Sequence, residues 1–119
     1  MRKFISLAAT LGALSLAVAG PAHAHAKLTA AEPAANATVA SPRQIVLRFN
    51  EKMVAGFSGF ELTSAGGVKV AIKTKLGKDG MSLTGVPAKP LAAGAYKVAW
   101  HAVTADSHRM QGDFTFTVR

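Results

Sequence analysis

From about residue 45 onward, apolar side chains recur at every second position. Ile45, Leu47 and Phe49 alternate with Val46, Arg48 and Asn50. A period of two marks a strand with one covered face. Phe60 to Thr63 reads as a second short strand, closed by Ala65-Gly66-Gly67. Val68, Val70 and Ile72 alternate with Lys69, Ala71 and Lys73, which predicts one half-buried strand with its lysines in water. Gly77 to Gly80 is a loop and Met81 to Leu83 a short strand. Val86 to Gly94, with Pro87 and Pro90, reads as a turn-rich connection, because proline cannot donate to a central ladder. Tyr96, Val98 and Trp100 then share one face of a strand, and Ala99, His101 and Val103 share the other. The last strand, Asp113 to Val118, sets Phe114 and Phe116 on one side.

No stretch after residue 28 holds a helical period of useful length. Ala30 to Ala40 is rich in alanine, but Pro33, Asn36-Ala37-Thr38-Val39 and the following Pro42 argue against a long helix. Many short strands at this spacing predict an all-β sandwich or small barrel of about seven strands. The expected core is Val46 or its neighbours Leu47 and Phe49, with Leu62, Val70, Leu83, Tyr96, Val98, Trp100, Phe114 and Phe116.

The first segment is of another kind. Arg2 and Lys3 precede an apolar or small-residue run from Phe4 to Ala19, and Gly20-Pro21 breaks it before Ala22-His23-Ala24. That order is a secretory signal peptide, 1–24, with small residues at the last and third-last positions before the cut. An uncleaved membrane anchor would need a longer apolar run, of about 20 residues. Cleavage after Ala24 makes His25 the first residue, whereas cleavage after Ala22 would start the chain at His23.

Removing 24 of the 119 residues leaves 95, enough for one domain, 25–119. Without any Cys, this domain has to hold together with no disulfide, in a compartment that permits them. Loss of Arg2 and Lys3 takes Lys and Arg from 14 to 12 against 6 acids, a formal charge of +6. The lysines are spread singly and accompanied by one Trp and one Tyr, so no stacking platform for nucleic acid is written here.

Three histidines remain: His25, His101 and His108. A first-residue His25 offers an α-amine and an imidazole, which together chelate one metal ion. Asp106-Ser107-His108 lies between the last two strands. Extended backbone there projects Asp106 and His108 to one side, within reach of a neighbouring terminus. Nitrogen donors with one carboxylate suit Cu(II), which also stands at the top of the divalent affinity order. Zinc is chemically compatible with the same donors. Without His25, the Asp-x-His segment reads as a plain solvent-facing hairpin loop.

Glu51, at the end of the first long strand, could hydrogen-bond and orient a ligating imidazole or be an ordinary surface charge. His101 could orient a ligand in the same way or be a partly buried histidine bonded to the backbone. Met53, Met81 and Met110 form no cluster in sequence and read as packing or surface.

These residues carry a resemblance. His25-Ala26-Lys27-Leu28 with Pro33, IVLRFNE at 45–51, Phe57-Ser58-Gly59, LAAGAYKVAW at 91–100, VTADSH at 103–108 and GDFTFTV at 112–118 resemble the CopC family of periplasmic copper-resistance proteins. The resemblance implies a seven-stranded Greek-key β-sandwich, immunoglobulin-like or cupredoxin-like in appearance. It implies Cu(II) ligation by the amine and ring of His25, by Asp106 and by His108, one Cu(II) per mature chain, with Glu51 where some members keep an outer acid. Some members also hold Cu(I) in a Met-rich loop with a histidine. The corresponding region, about 64–78, has neither residue, so this chain resembles the Cu(II)-only branch.

The implied role is a periplasmic, monomeric carrier or buffer of Cu(II), reaching the membrane only through a partner, a CopD-like inner-membrane copper importer. Two other classes compete. An N-terminal histidine and a second histidine around copper is also the arrangement of copper-dependent polysaccharide monooxygenases, although Asp106 would take a position that oxygen chemistry needs. A non-metal interaction module on the same sandwich would bind no copper at all.

Overall fold

The computed structural model describes residues 25–119, and the expected signal peptide lies outside those residues. Nine strands follow one another: β1 (Leu28–Glu32), β2 (Thr38–Val39), β3 (Ile45–Phe49), β4 (Gly59–Ser64), β5 (Lys69–Val70), β6 (Ile72–Leu76), β7 (Ser82–Pro87), β8 (Gly94–Val103) and β9 (Arg109–Val118). β2 and β5 are two residues long, and the other seven make up the body of a sandwich. One sheet has the order β1-β3-β7-β6 and the other β2-β9-β8-β4-β5. The chain crosses between sheets from β3 to β4, back from β5 to β6 and again from β7 to β8. β7 then returns beside β3, and β8 beside β4. Such interlocked crossings are of the Greek-key kind.

Two local expectations are revised and one unassigned stretch is placed. Val68 to Lys73 is not one strand: Val70 pairs with Leu62 in one sheet, and Ile72 pairs with Pro87 in the other. The two-residue period runs through this corner unbroken, so sequence alone cannot show the change of sheet. β7 continues to Pro87 although it lies inside its sheet. β3 meets β7 only from Ser82 to Gly85, so Pro87 pairs with β6 alone and no ladder on the β3 side asks for its missing N–H. Leu28 to Glu32, unassigned from sequence, is an edge strand on β3 with an irregularity near Leu28 to Ala30.

The core lies between the sheets. Ile45, Leu47 and Phe49 point inward, with Leu62, Leu83, Val98 and Phe116, all essentially removed from water. Tyr96 stacks on Phe116 with ring centroids 5.6 Å apart. Its hydroxyl donates to the Ala92 carbonyl at 2.6 Å, which pins the corner entering β8. Trp100, Phe114 and Val70 are only half-buried and pack at the rim. Trp100 meets Phe49 edge-on at 5.1 Å. It covers Gly112, where a Cβ would come within 2.7 Å of Trp100 Cζ2.

Gly85 has the same kind of role deeper in the core. A Cβ there would fall 2.4 Å from Cζ of the buried Phe60. Gly85→Ala therefore forces Phe60 aside and lowers unfolding free energy by about 1–3 kcal/mol, the usual cost of overpacking. Urea unfolding of the two proteins measures it, and equal midpoints would mean that Phe60 moves freely.

Candidate metal centre

β8 and β9 form a hairpin whose last ladder pair is Val103 with Arg109. Beyond it, Thr104 N–H donates to the His108 carbonyl at 3.1 Å and Ser107 N–H to the Thr104 carbonyl at 2.9 Å. Ala105, Asp106 and Ser107 are thus a three-residue loop, and Ser107 takes the left-handed conformation, φ 69°, that the third position of such loops requires. This turn places Asp106 and His108 on the same side of the hairpin tip. His108 Nδ1 lies 2.9 Å from Asp106 Oδ2, and the His108 N–H reaches Asp106 Oδ1 at 3.3 Å.

The buried Thr104 also donates its hydroxyl to Asp106 Oδ1. This bond lowers the Asp106 pKa from 3.8 to about 2 against a smaller opposing push from desolvation, with lesser help from the donors and charge of His108. Asp106 is therefore a carboxylate at neutral pH. As an acceptor it sets the proton of a neutral His108 on Nδ1, which makes Nε2, on the other side of the ring, the acceptor nitrogen.

The N-terminal segment comes to this hairpin by its own constraints. Lys27 N–H donates to the Asn50 side chain at 2.7 Å, and Asn50 N–H to the Lys27 carbonyl at 3.1 Å. Ala26 is 1 % exposed and belongs to the core. With its two successors fixed, His25 is held at the end of the sandwich, and its ring centroid lies 5.3 Å from that of His108. The histidines, 83 positions apart in the numbering, are neighbours in space. Both Asp106 and His108 remain about half exposed.

Among the described residues, no group of three or more acidic, histidine or cysteine side chains is gathered around one point. The pairs His25–His108 and Asp106–His108 share His108. Glu51 is half-buried one residue beyond Asn50, at the same end of β3 as the His25 segment. His101 lies elsewhere, on the outward face of β8, with its ring over Gly59 in a groove shared with Glu61, Arg109 and Asp113.

Sequence reasoning missed Thr104 and Asn50. A Thr two residues before an Asp in a hairpin loop is a recognisable turn signal for the first. Nothing local marks the second, because its partner is distant in the chain.

A family model described as the CopC domain matches residues 28–119. The chain belongs to the CopC family. Copper resistance protein C of Xanthomonas campestris pv. juglandis is 41% identical to it over 128 residues, covering 100% of both chains. Copper resistance protein C of Escherichia coli is 40% identical over 116 residues, 91% of this chain and 92% of that one. In the crystal structure of PcoC, a methionine-rich copper resistance protein from Escherichia coli, the fold recurs with a TM-score of 0.76 at 40% identity, over 81% of this chain and 100% of that one. The expectation of a CopC-like β-sandwich is thereby met. The hairpin tip with Asp106 and His108 and all of β1 fall within the matched span, and His25 lies three residues before it.

Proposed function

We propose that this CopC domain is a copper-resistance protein that binds one Cu(II) ion at the end of the sandwich, through the α-amine and ring of His25, the Asp106 carboxylate and the ring of His108. The observation behind this reading is the approach of the His25 and His108 rings to 5.3 Å, with Asp106 beside them. The donors fit the ion: nitrogen and carboxylate oxygen without sulfur favour Cu(II) over Cu(I). Asp106 has about four lone-pair directions, and the contacts with Thr104 and His108 use three, which leaves one toward a metal. Glu51 stands as an outer acid near the His25 segment.

Chelation by His25 requires a free amine, so the reading includes removal of residues 1–24 on export and a periplasmic location. The names of the relatives support copper as the cargo, and the family resemblance supports delivery to a CopD-like inner-membrane importer. The role is that of a carrier or buffer, not an enzyme, because Asp106 as a ligand would take a coordination position that oxygen chemistry needs. No helix among the described residues is long and apolar enough to cross a membrane.

The test is the Cu(II) EPR spectrum of the secreted protein, its N-terminus verified by intact mass, beside a variant with one additional residue ahead of His25. The native terminus is expected to give a single axial signal with nitrogen hyperfine structure. The extended variant, whose His25 nitrogen is an amide, is expected to lose that signal or change it. Identical spectra would remove the amine from the ligand set.

A further inference from the structure

The four-stranded sheet ends at β6. Beside that strand runs a groove of about 780 Å³ lined by Ile72, Lys73, Lys75, Val86 and Pro87, of which Lys73, Lys75 and Val86 share one face of the sheet and Ile72 and Pro87 the other. Val86 is 48 % exposed although it is a large aliphatic residue in a strand. A second hollow continues from the first through the shared Pro87 and Ala88, and Arg43 and Lys89 line it. Four cations thus border these two adjoining hollows. None of the six acidic residues of 25–119 lines either of them. Among the described residues the lysine ion pairs are made by Lys69 and Lys97, so Lys73 and Lys75 keep their charge uncompensated.

Lysines on a terminal strand repel a second copy of the same edge. Their charge attracts the opposite kind of segment. Lys73 and Lys75 are two residues apart on one face, about 6.7 Å along the strand, which is the spacing of alternate side chains in any extended chain. We propose that this groove docks an extended acidic segment of a partner protein alongside β6, in which carboxylates alternate with apolar side chains: the carboxylates meet Lys73 and Lys75 on one face, and the apolar residues cover Ile72 and Pro87 on the other. Concavity favours a peptide over a membrane, because a bilayer is a broad surface that meets protrusions, whereas a depression of this volume accepts side chains. The net charge of +6 steers an acidic partner toward the domain from a distance. β6 and β1 are opposite edges of their sheet, so a segment bound here leaves the His25–His108 end open. The proposal stands whether or not that end binds copper.

The experiment is a titration of the ¹⁵N-labelled secreted protein with a short capped peptide of alternating glutamate and valine, and with its glutamine–valine counterpart as control. The expected result is a set of amide shifts confined to residues 71–75 and 84–88. Affinity is expected to fall by about tenfold between about 0.05 and 0.3 M salt, as screening of an exposed charge contact requires, and by at least about tenfold in Lys73→Glu/Lys75→Glu. Both side chains are exposed, so that variant retains its fold, which its own amide spectrum verifies. Equal binding of the glutamine peptide, shifts spread over other faces, or undiminished binding by the double variant would overturn the proposal. So would capture by phosphatidylglycerol vesicles through the same lysines with no response to the peptide, which would assign the face to a membrane.

Discussion

His108→Ala is expected to lower Cu(II) affinity by at least about 100-fold while leaving the unfolding transition where it is. Outer-shell partners of a metal site cost about 10–100-fold when removed, and a direct ligand lies at or beyond the top of that range. The fold should not respond, because the His108 side chain is about half exposed at the tip of the hairpin and its backbone carbonyl, which closes the loop, survives the substitution. Competition against a chelator of known strength measures the affinity, and circular dichroism on heating measures the fold. Unchanged affinity would take His108 out of the proposed site and leave copper on the terminus alone. Asp106 can be followed in the same way. Asp106→Asn keeps an oxygen that can accept from His108 Nδ1, whereas Asp106→Ala does not. Equal losses in the two variants indicate a carboxylate bound to the metal, and a much smaller loss in Asp106→Asn indicates that the residue acts by orienting the imidazole.

The largest effect on stability is expected at Phe116. Phe116→Ala should cost about 4 kcal/mol, within the range for truncating a buried aromatic. For a domain of this size that corresponds to a fall in Tm of at least about 15 °C. The residue is 1 % exposed and stacks on Tyr96, whose hydroxyl fixes the corner before β8. Its loss therefore leaves a cavity and also loosens the strand that leads to the Asp106 loop. Trp100→Ala, at the half-buried rim, should cost less despite the larger side chain, because part of its surface is already in water. A Phe116→Ala protein as stable as its parent would show that the two sheets close over the missing ring.

The alternation of Ile45, Leu47 and Phe49 announces the inner face of β3, and that of Tyr96, Val98 and Trp100 announces the inner face of β8. Both were legible because a half-buried strand repeats its environment every two residues. The corner at Ala71 was not legible, since a strand that changes sheets keeps its alternation. The extent of β7 was hidden by Pro87, whose tolerance depends on where β3 stops. The candidate donors could be read: the His25 segment by its place after a cleavable run, and Asp106 and His108 by their two-residue spacing in a hairpin loop. Thr104, which holds Asp106 ionised, and Asn50, which docks the terminus, act through contacts that carry no periodic signal.

The sequence by itself determined the all-β class, most of the buried faces and the identity of the candidate donors, because these depend on side-chain chemistry and on the local period of the chain. Tertiary structure alone decided that His25 and His108 lie together. Their approach depends on the burial of Ala26, on the pairing of Lys27 with Asn50 beside one sheet and on the left-handed turn at Ser107 in the other, and only the packing of the two sheets brings these to one end.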